Sequence, residues 1–343
     1  MALTTKEIKK FREDLASSYC PLVFFDDDPD GLTSFLQIYK EVGDGRGVVL
    51  KTKPELAESF AKRAEELNHD MIFVLDIPSI EQEFLDRVKT KVLWLDHHSP
   101  LKRTGVDYYN PRNGDDKDNR PTSYWVYKII KKNIWVAMVG CVGDWQLPDD
   151  ITKAFRKEYP DLLPKEITTP EKALFESKIG LLAKVFSFNL MGKTQDAMKS
   201  VKILTRIKSP YEILDQTTPR GKFIWKRFQV MNKDYEDLIG SIKVRKSDKI
   251  LLHIYEETRM SFTGDLSNEL LYRNPDKIII VGRSKSGETK CSLRSASAPL
   301  APILKKALVG IEGYGGGHKF ACGACIKDED FKKFISNLKK ELK

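Results

Sequence analysis

Apolar residues in the first hundred positions come in short unbroken runs, not in alternation with polar ones. Leu22-Val23-Phe24-Phe25, Gly47-Val48-Val49-Leu50, Met71-Ile72-Phe73-Val74-Leu75 and Val92-Leu93-Trp94-Leu95 are four such runs, separated by stretches that read as helices. A strand covered on one face alternates, so continuous runs between helices predict a parallel sheet buried on both faces. Trp135-Val136-Ala137-Met138-Val139 fits either a further strand or the end of a helix. From Ile151 to about Ile242 the pattern is helical, with Phe155, Tyr159, Leu174, Leu181, Leu182, Val185, Phe186 and Leu190 at helical spacing. Phe223 to Leu238 predicts one more helix, suited to connect two lobes. Strands resume at 249–254, and 277–283 and 289–294 flank Ser284-Lys285-Ser286-Gly287-Glu288 as a hairpin. A closing helix carries Phe331, Phe334, Ile335, Leu338 and Leu342 on one face, which reads as a packed face. The expected architecture is α/β: a parallel-sheet domain over 1–215, helical from about 151, a connecting helix at 216–245, and a smaller domain at 246–343.

In parallel sheets the functional groups collect at the carboxyl ends of the strands. Three predicted strands end there in an acid: Asp26 after Phe25, Asp76 after Leu75 and Asp96 after Leu95. Asp26-Asp27-Asp28-Pro29-Asp30-Gly31 crowds acids behind a buried strand, where repulsion calls for a positive charge that a divalent cation can supply. By itself the segment reads equally well as a solvated acidic loop. An EF-hand is excluded, because the twelfth position from Asp26 is Gln37 in place of Glu and a strand precedes the loop. Asp96-His97-His98 puts two of the chain's five histidines on the same edge. Either imidazole alone reads as a satisfied side chain; a pair beside oxygen ligands shifts preference from magnesium toward manganese. Asp76 before Ile77-Pro78, and Asp144 in Gly143-Asp144-Trp145, read singly as turn formers. Together in one crevice they would complete a cage for two ions, about 3.5–4 Å apart, that hold a hydroxide in line with a phosphorus.

Bulk properties narrow the class. A chain of 343 residues has room for two cores, and 41% hydrophobic with 31% charged residues is an ordinary globular composition. No apolar run reaches membrane-span length and the first residues lack a secretory pattern. Five cysteines, odd in number and scattered, do not form a disulfide framework, which places the expected site of action in the cytoplasm. A net charge of +9 suits a polyanionic partner.

The order of the acidic first motif, the strand-end Asp76, Asp96-His97-His98 and Gly143-Asp144 resembles the four motifs of the DHH phosphoesterase family. That family includes RecJ-like exonucleases, nanoRNases, cyclic-dinucleotide phosphodiesterases and family II pyrophosphatases. The resemblance implies a parallel-sheet DHH domain and a smaller α/β DHH-associated domain, joined by helices with the active site in the cleft. It implies two Mn²⁺ or Mg²⁺ ions on Asp28, Asp30, Asp76, His97 and Asp144, with Asp76 bridging. His98 would touch the substrate phosphate or orient the nucleophile, and Asp96 would support its neighbours. Many relatives carry a histidine ligand where this chain has Phe24, leaving that place to Asp26 or water.

A second match lies near the C-terminus. Gly313-Tyr314-Gly315-Gly316-Gly317-His318 is similar to the glycine-rich signature of the DHH-associated domain, in which backbone N–H groups converge on an anion. The resemblance assigns substrate contacts to Gly315, Gly316, Gly317 and His318, to Arg294 and Ser292 in Ser292-Leu293-Arg294-Ser295, and to Asn268. An arginine fork suits a phosphate better than a lysine does. Cys322-Gly323-Ala324-Cys325, without a second pair, is too small a donor set for structural zinc, and Trp94, Trp125 and Trp145 read as core before base-stacking platforms.

The implied activity is hydrolysis of single-stranded DNA or RNA, including short oligonucleotides, from an end and with 3′→5′ polarity favoured. A cyclic-dinucleotide phosphodiesterase and a non-catalytic replication scaffold of the same fold are the alternatives; a pyrophosphatase fits less well, since the His-x-Asn-Pro form is missing. A replication or repair protein is a further expected partner, and a membrane is not.

Overall fold

The computed structural model describes residues 3–51, 55–256 and 260–342. The chain divides into two compact units, Met1–Gln229 and Val230–Lys343.

The first unit opens with α1 (Thr5–Ser17), β1 (Leu22–Asp26), α2 (Pro29–Val42), β2 (Arg46–Leu50) and the short β3 (Glu55–Leu56). It continues through α3 (Ser59–Glu66), β4 (Ile72–Leu75), β5 (Ser79–Ile80), α4 (Gln82–Arg87), β6 (Val92–Leu95) and β7 (Asp107–Tyr109). Five strands form a wholly parallel sheet in the order β2-β1-β4-β6-β7. The unbroken apolar runs follow from burial on both faces. Leu22, Phe24, Ile72, Val74, Val92 and Trp94 pack with Ala61 and Ala64 of α3 and with Phe84 and Leu85 of α4. On the other face Phe73 meets Phe11 of α1, and Phe25 stacks on Phe35 of α2 with ring centres 4.9 Å apart.

Asp28 caps helix α2 and Pro29 occupies its first turn. It ends at Gly43, whose φ of 86° is the left-handed stop that glycine allows. The helices α5 (Thr122–Ile130), α6 (Ile134–Gly143), α7 (Asp149–Glu158), α8 (Pro170–Glu176), α9 (Lys178–Leu190), α10 (Thr194–Leu204), α11 (Pro210–Leu214) and α12 (Pro219–Ser241) follow. The ambiguous 135–139 run lies inside α6 and is no strand. All residues from Ile134 to Val142 are buried, so the apolar stripe that marks an amphipathic helix is absent and the run mimics a buried strand.

The second unit holds β8 (Ile250–Glu256), α13 (Thr263–Arg273), β9 (Ile278–Lys285), β10 (Glu288–Arg294), α14 (Leu300–Ala307), β11 (Gly313–Gly317), β12 (Ala321–Lys327) and α15 (Asp328–Glu341). Its mixed sheet runs β11-β12-β10-β9-β8, and Leu300 and Leu304 of α14 with Phe334, Ile335 and Leu338 of α15 bury one face of it. No helix among the described residues is long and apolar enough to cross a membrane.

Candidate metal centre

Neighbouring parallel strands β1, β4 and β6 end at one edge of the sheet, and each delivers an acid there. Asp76 follows β4 with φ of 60° and donates its N–H to the Leu95 carbonyl at 3.0 Å. Left-handed backbone in a non-glycine residue costs about 1–3 kcal/mol and persists where surroundings over-determine it. Here the turn keeps the carboxylate, only 1% exposed, among the other acids.

Asp28 spends one oxygen on its cap, accepting the Gly31 N–H at 2.8 Å. Asp30, in the first turn of α2, accepts the N–H groups of Thr122 at 2.7 Å and Ser123 at 2.9 Å. Those are the first N–H groups of α5, and a helix N-terminus stabilises the negative charge it meets. Thr122 also donates its hydroxyl to Asp76 at 3.1 Å. His97 Nδ1 faces the Asn119 carbonyl at 3.2 Å, and a carbonyl only accepts, so Nδ1 carries the proton. Its Nε2 lone pair is thereby left 3.4 Å from Asp76 and 3.9 Å from Asp144.

Ligand-capable atoms converge in three groups, each within 4.8 Å: Asp26 with Asp28 and Asp76, Asp30 with His97 and Asp144, and Asp76 with His97 and His98. Every residue read from the sequence as a metal ligand is in one of them. Phe24, in the place of a histidine, has its ring in the core edge-on to Phe60 and Phe84, while Asp26 joins the first group.

The electrostatics fit a cation. Burial, then Asp30, Asp28, Asp144 and Asp96, pushes the Asp76 carboxyl well above the ordinary carboxylate range. Burial followed by Asp30 raises Asp28, and burial with Asp30 and Asp28 raises Asp144 strongly. Asp26 is pushed up to about 7 by burial and then by Asp28. Lys51 pairs at 3.0 Å with Asp27, which belongs to none of the three groups. Carboxylates this close cannot all ionise without a counter-charge, and divalent cations supply one.

His98 is placed differently from His97. Asp96, fully buried, accepts the His98 N–H at 3.0 Å and holds its Nδ1 at 2.7 Å, while Asn110 donates to the His98 carbonyl at 3.0 Å. Burial alone would lower the imidazole's pKa; the hydrogen bond and charge of Asp96 outweigh it and raise it. Asn110, Asn119, Thr122 and Ser123 escaped sequence reading. The Pro121-Thr122-Ser123 helix start was a signal for the last two alone, since what all four do depends on contacts outside their own segments.

In the second unit Arg294 donates to the Asn268 side chain at 2.8 Å and to the carbonyls of Leu293 and Cys322 at 3.0 and 3.4 Å. The Ser292 hydroxyl meets that of Ser267 at 2.8 Å. Gly315, Gly316 and Gly317 do not form the loop with converging N–H groups expected of them. They lie in the edge strand β11, paired with β12, where successive N–H groups point in alternate directions. His318 begins the turn beyond, its N–H on the Ala321 carbonyl at 2.8 Å. Cys322 and Cys325 are both free thiols.

Residues 247–343 match the DHHA1 domain. No curated protein sequence matches the chain. Among solved structures, RecJ from Thermus thermophilus in complex with Mn²⁺ superposes with a TM-score of 0.67 at 16% identity, over 98% of this chain and 55% of that one. The chain thus spans about half the length of that relative. An exonuclease RecJ bound to manganese gives 0.63 at 15% identity, covering 98% of this chain and 94% of that one. The pGpG-specific phosphodiesterase of Vibrio cholerae gives 0.53 at 14% identity, covering 94% and 98%. At these identities the likeness is one of fold.

Proposed function

We propose that the chain is a DHH phosphoesterase, a metal-dependent exonuclease that hydrolyses single-stranded DNA or RNA and short oligonucleotides to mononucleotides, 3′→5′. The observation that carries this reading is the convergence of Asp26, Asp28, Asp30, Asp76, His97 and Asp144 at one sheet edge, with His98 held beside them. These six residues would hold two Mn²⁺ or Mg²⁺ ions, with Asp76 among the ligands. When bound, such ions supply an activated water nucleophile and stabilise charge on the leaving oxygen.

The chain's own groups then have separable tasks. Asp30, anchored on α5, and His97, oriented by the Asn119 carbonyl, keep their donor atoms fixed. His98, kept basic by Asp96, offers a charged N–H to the scissile phosphate. Arg294, levelled by Asn268, would grip a terminal phosphate, and Ser292, Gly315, Gly316, Gly317 and His318 would border that nucleotide. A replication or repair protein is a proposed partner.

Incubation with Mn²⁺ and 5′- or 3′-labelled single strands, beside a cyclic dinucleotide and pyrophosphate, tests the reading. Mononucleotide release from the 3′ end, lost in Asp76→Ala, is expected. Turnover of the cyclic dinucleotide alone transfers the assignment to that class, and no turnover of any substrate favours a scaffold.

A further inference from the structure

The far end of the first sheet carries a cavity that the acidic centre does not use. It has a volume of about 380 Å³ and lies along edge strand β2, between α2, α3 and α10. Its floor is apolar: Phe35, Val48 and Val201 are buried there, and Tyr39 and Met198 are half-buried. Arg46, Arg63 and Lys202 stand in its lining, all exposed, and none is ion-paired with a described residue. Among the described residues no carboxylate lines it. Arg46 is at the start of β2 and Leu50, which pairs with Asp26, at its end, so the arginine sits about 13 Å along the strand from the acidic edge.

We propose that this cavity binds a nucleoside monophosphate. Three unneutralised cations, two of them guanidinium forks, match a dianionic phosphate. The half-exposed Tyr39 ring, tilted against Phe35 with centres 5.8 Å apart, gives a flat apolar body a surface to lie on. The volume falls within the range of small-ligand pockets. Helix α10 packs on β2 and closes one side of the cavity. The site stands independently of the metal centre's chemistry.

Calorimetric titration of the full chain with AMP in EDTA, where metal-dependent contacts are silenced, tests it. Binding of one AMP is expected, weakened at least about tenfold by the double substitution R63A/K202A and abolished by Met198→Trp, which fills the cavity, with melting of the double variant unchanged. Four results would overturn the proposal: no AMP binding; inorganic phosphate binding as tightly as AMP, leaving an adventitious anion only; an oligoglutamate peptide displacing AMP, which assigns an acidic peptide; or loss of AMP binding in Arg294→Ala with R63A/K202A unaffected, which moves the nucleotide to the second unit.

Discussion

Replacing Gly31 by alanine tests the metal centre without touching a ligand. A Cβ built on Gly31 lies 2.6 Å from the Asp26 amide nitrogen and 2.7 Å from its carbonyl oxygen, both backbone atoms that cannot swing aside. Restoring ordinary contact requires the first turn of α2 to retreat by about 0.8 Å from the end of β1. The opposite side has no slack. A Cβ on Gly143 of α6 would meet Pro29 at 2.6 Å, and one on Gly140 would meet the Thr33 hydroxyl at 2.2 Å, so α2 is wedged between strand and helix. Overpacking of this kind costs about 1–3 kcal/mol.

The larger consequence is geometric. Asp28 is tied to the Gly31 N–H and Asp30 belongs to the same turn, whereas Asp26 and Asp76 belong to the sheet. A shift of that size separates the two sets, and metal sites tolerate only about 0.2 Å. Gly31→Ala should lose at least about tenfold in Mn²⁺ affinity and about 100-fold in kcat/KM on a labelled single strand. Gly240→Ala in α12, where nothing lies within 4 Å, should match or slightly exceed the wild type in stability. Melting in EDTA isolates the packing cost, and Mn²⁺ calorimetry isolates the ligand displacement. Undiminished Mn²⁺ affinity in a folded Gly31→Ala protein would refute the argument that helix and strand ligands serve one centre.

Further outcomes follow from the same geometry. Asp26, Asp28, Asp76 and Asp144 have folded-state pKa values above those of the unfolded chain, so their contribution to metal-free stability is complete below about pH 4 and lost as pH rises through the raised values, about 7 for Asp26. The metal-free melting temperature should therefore fall between about pH 5 and pH 8, and Mn²⁺ at about 100 times its Kd should restore about 5–10 °C at the upper end; a rise with pH would contradict the clustering. Asp96→Asn should move the alkaline fall of activity to lower pH, because the imidazolium of His98 loses the carboxylate that raises its pKa, while Mn²⁺ uptake stays nearly intact; an unmoved profile would remove His98 from phosphate binding. Arg294→Ala should cut kcat/KM on single strands by about 10–100-fold with Mn²⁺-induced stabilisation unchanged, and equal losses in both would reject its assigned role.

Sequence reading reached the parts of this molecule that repeat a local rule. Four buried strands showed as apolar runs because both faces of the sheet are covered, and acids at strand ends showed because a parallel sheet gathers its carboxyl ends on one side. Where burial erased periodicity, the reading became ambiguous, as in α6. The edge strand β7 and the pair β3-β5 are too short, at two or three residues, to leave a pattern. The glycine run gave its composition but not its conformation. Glycine permits a nest and a strand alike, and pairing with β12 decides between them.

The acidic centre divides along the same line. Donor identities belong to local motifs and could be read; donor orientations belong to contacts 22 to 93 residues apart and could not. Asp30 is aimed by Thr122 and Ser123, 92 and 93 positions away, and Asp76 by Thr122, 46 positions away. A relative that kept every motif acid but lost the α5 N-terminus would therefore keep the signature and lose the centre. A buried carboxylate stripped of two N–H donors either takes up a proton or swings to water, and neither state binds a cation. The motif is thus necessary for the chemistry proposed here, and the helix that receives Asp30 is what makes it sufficient.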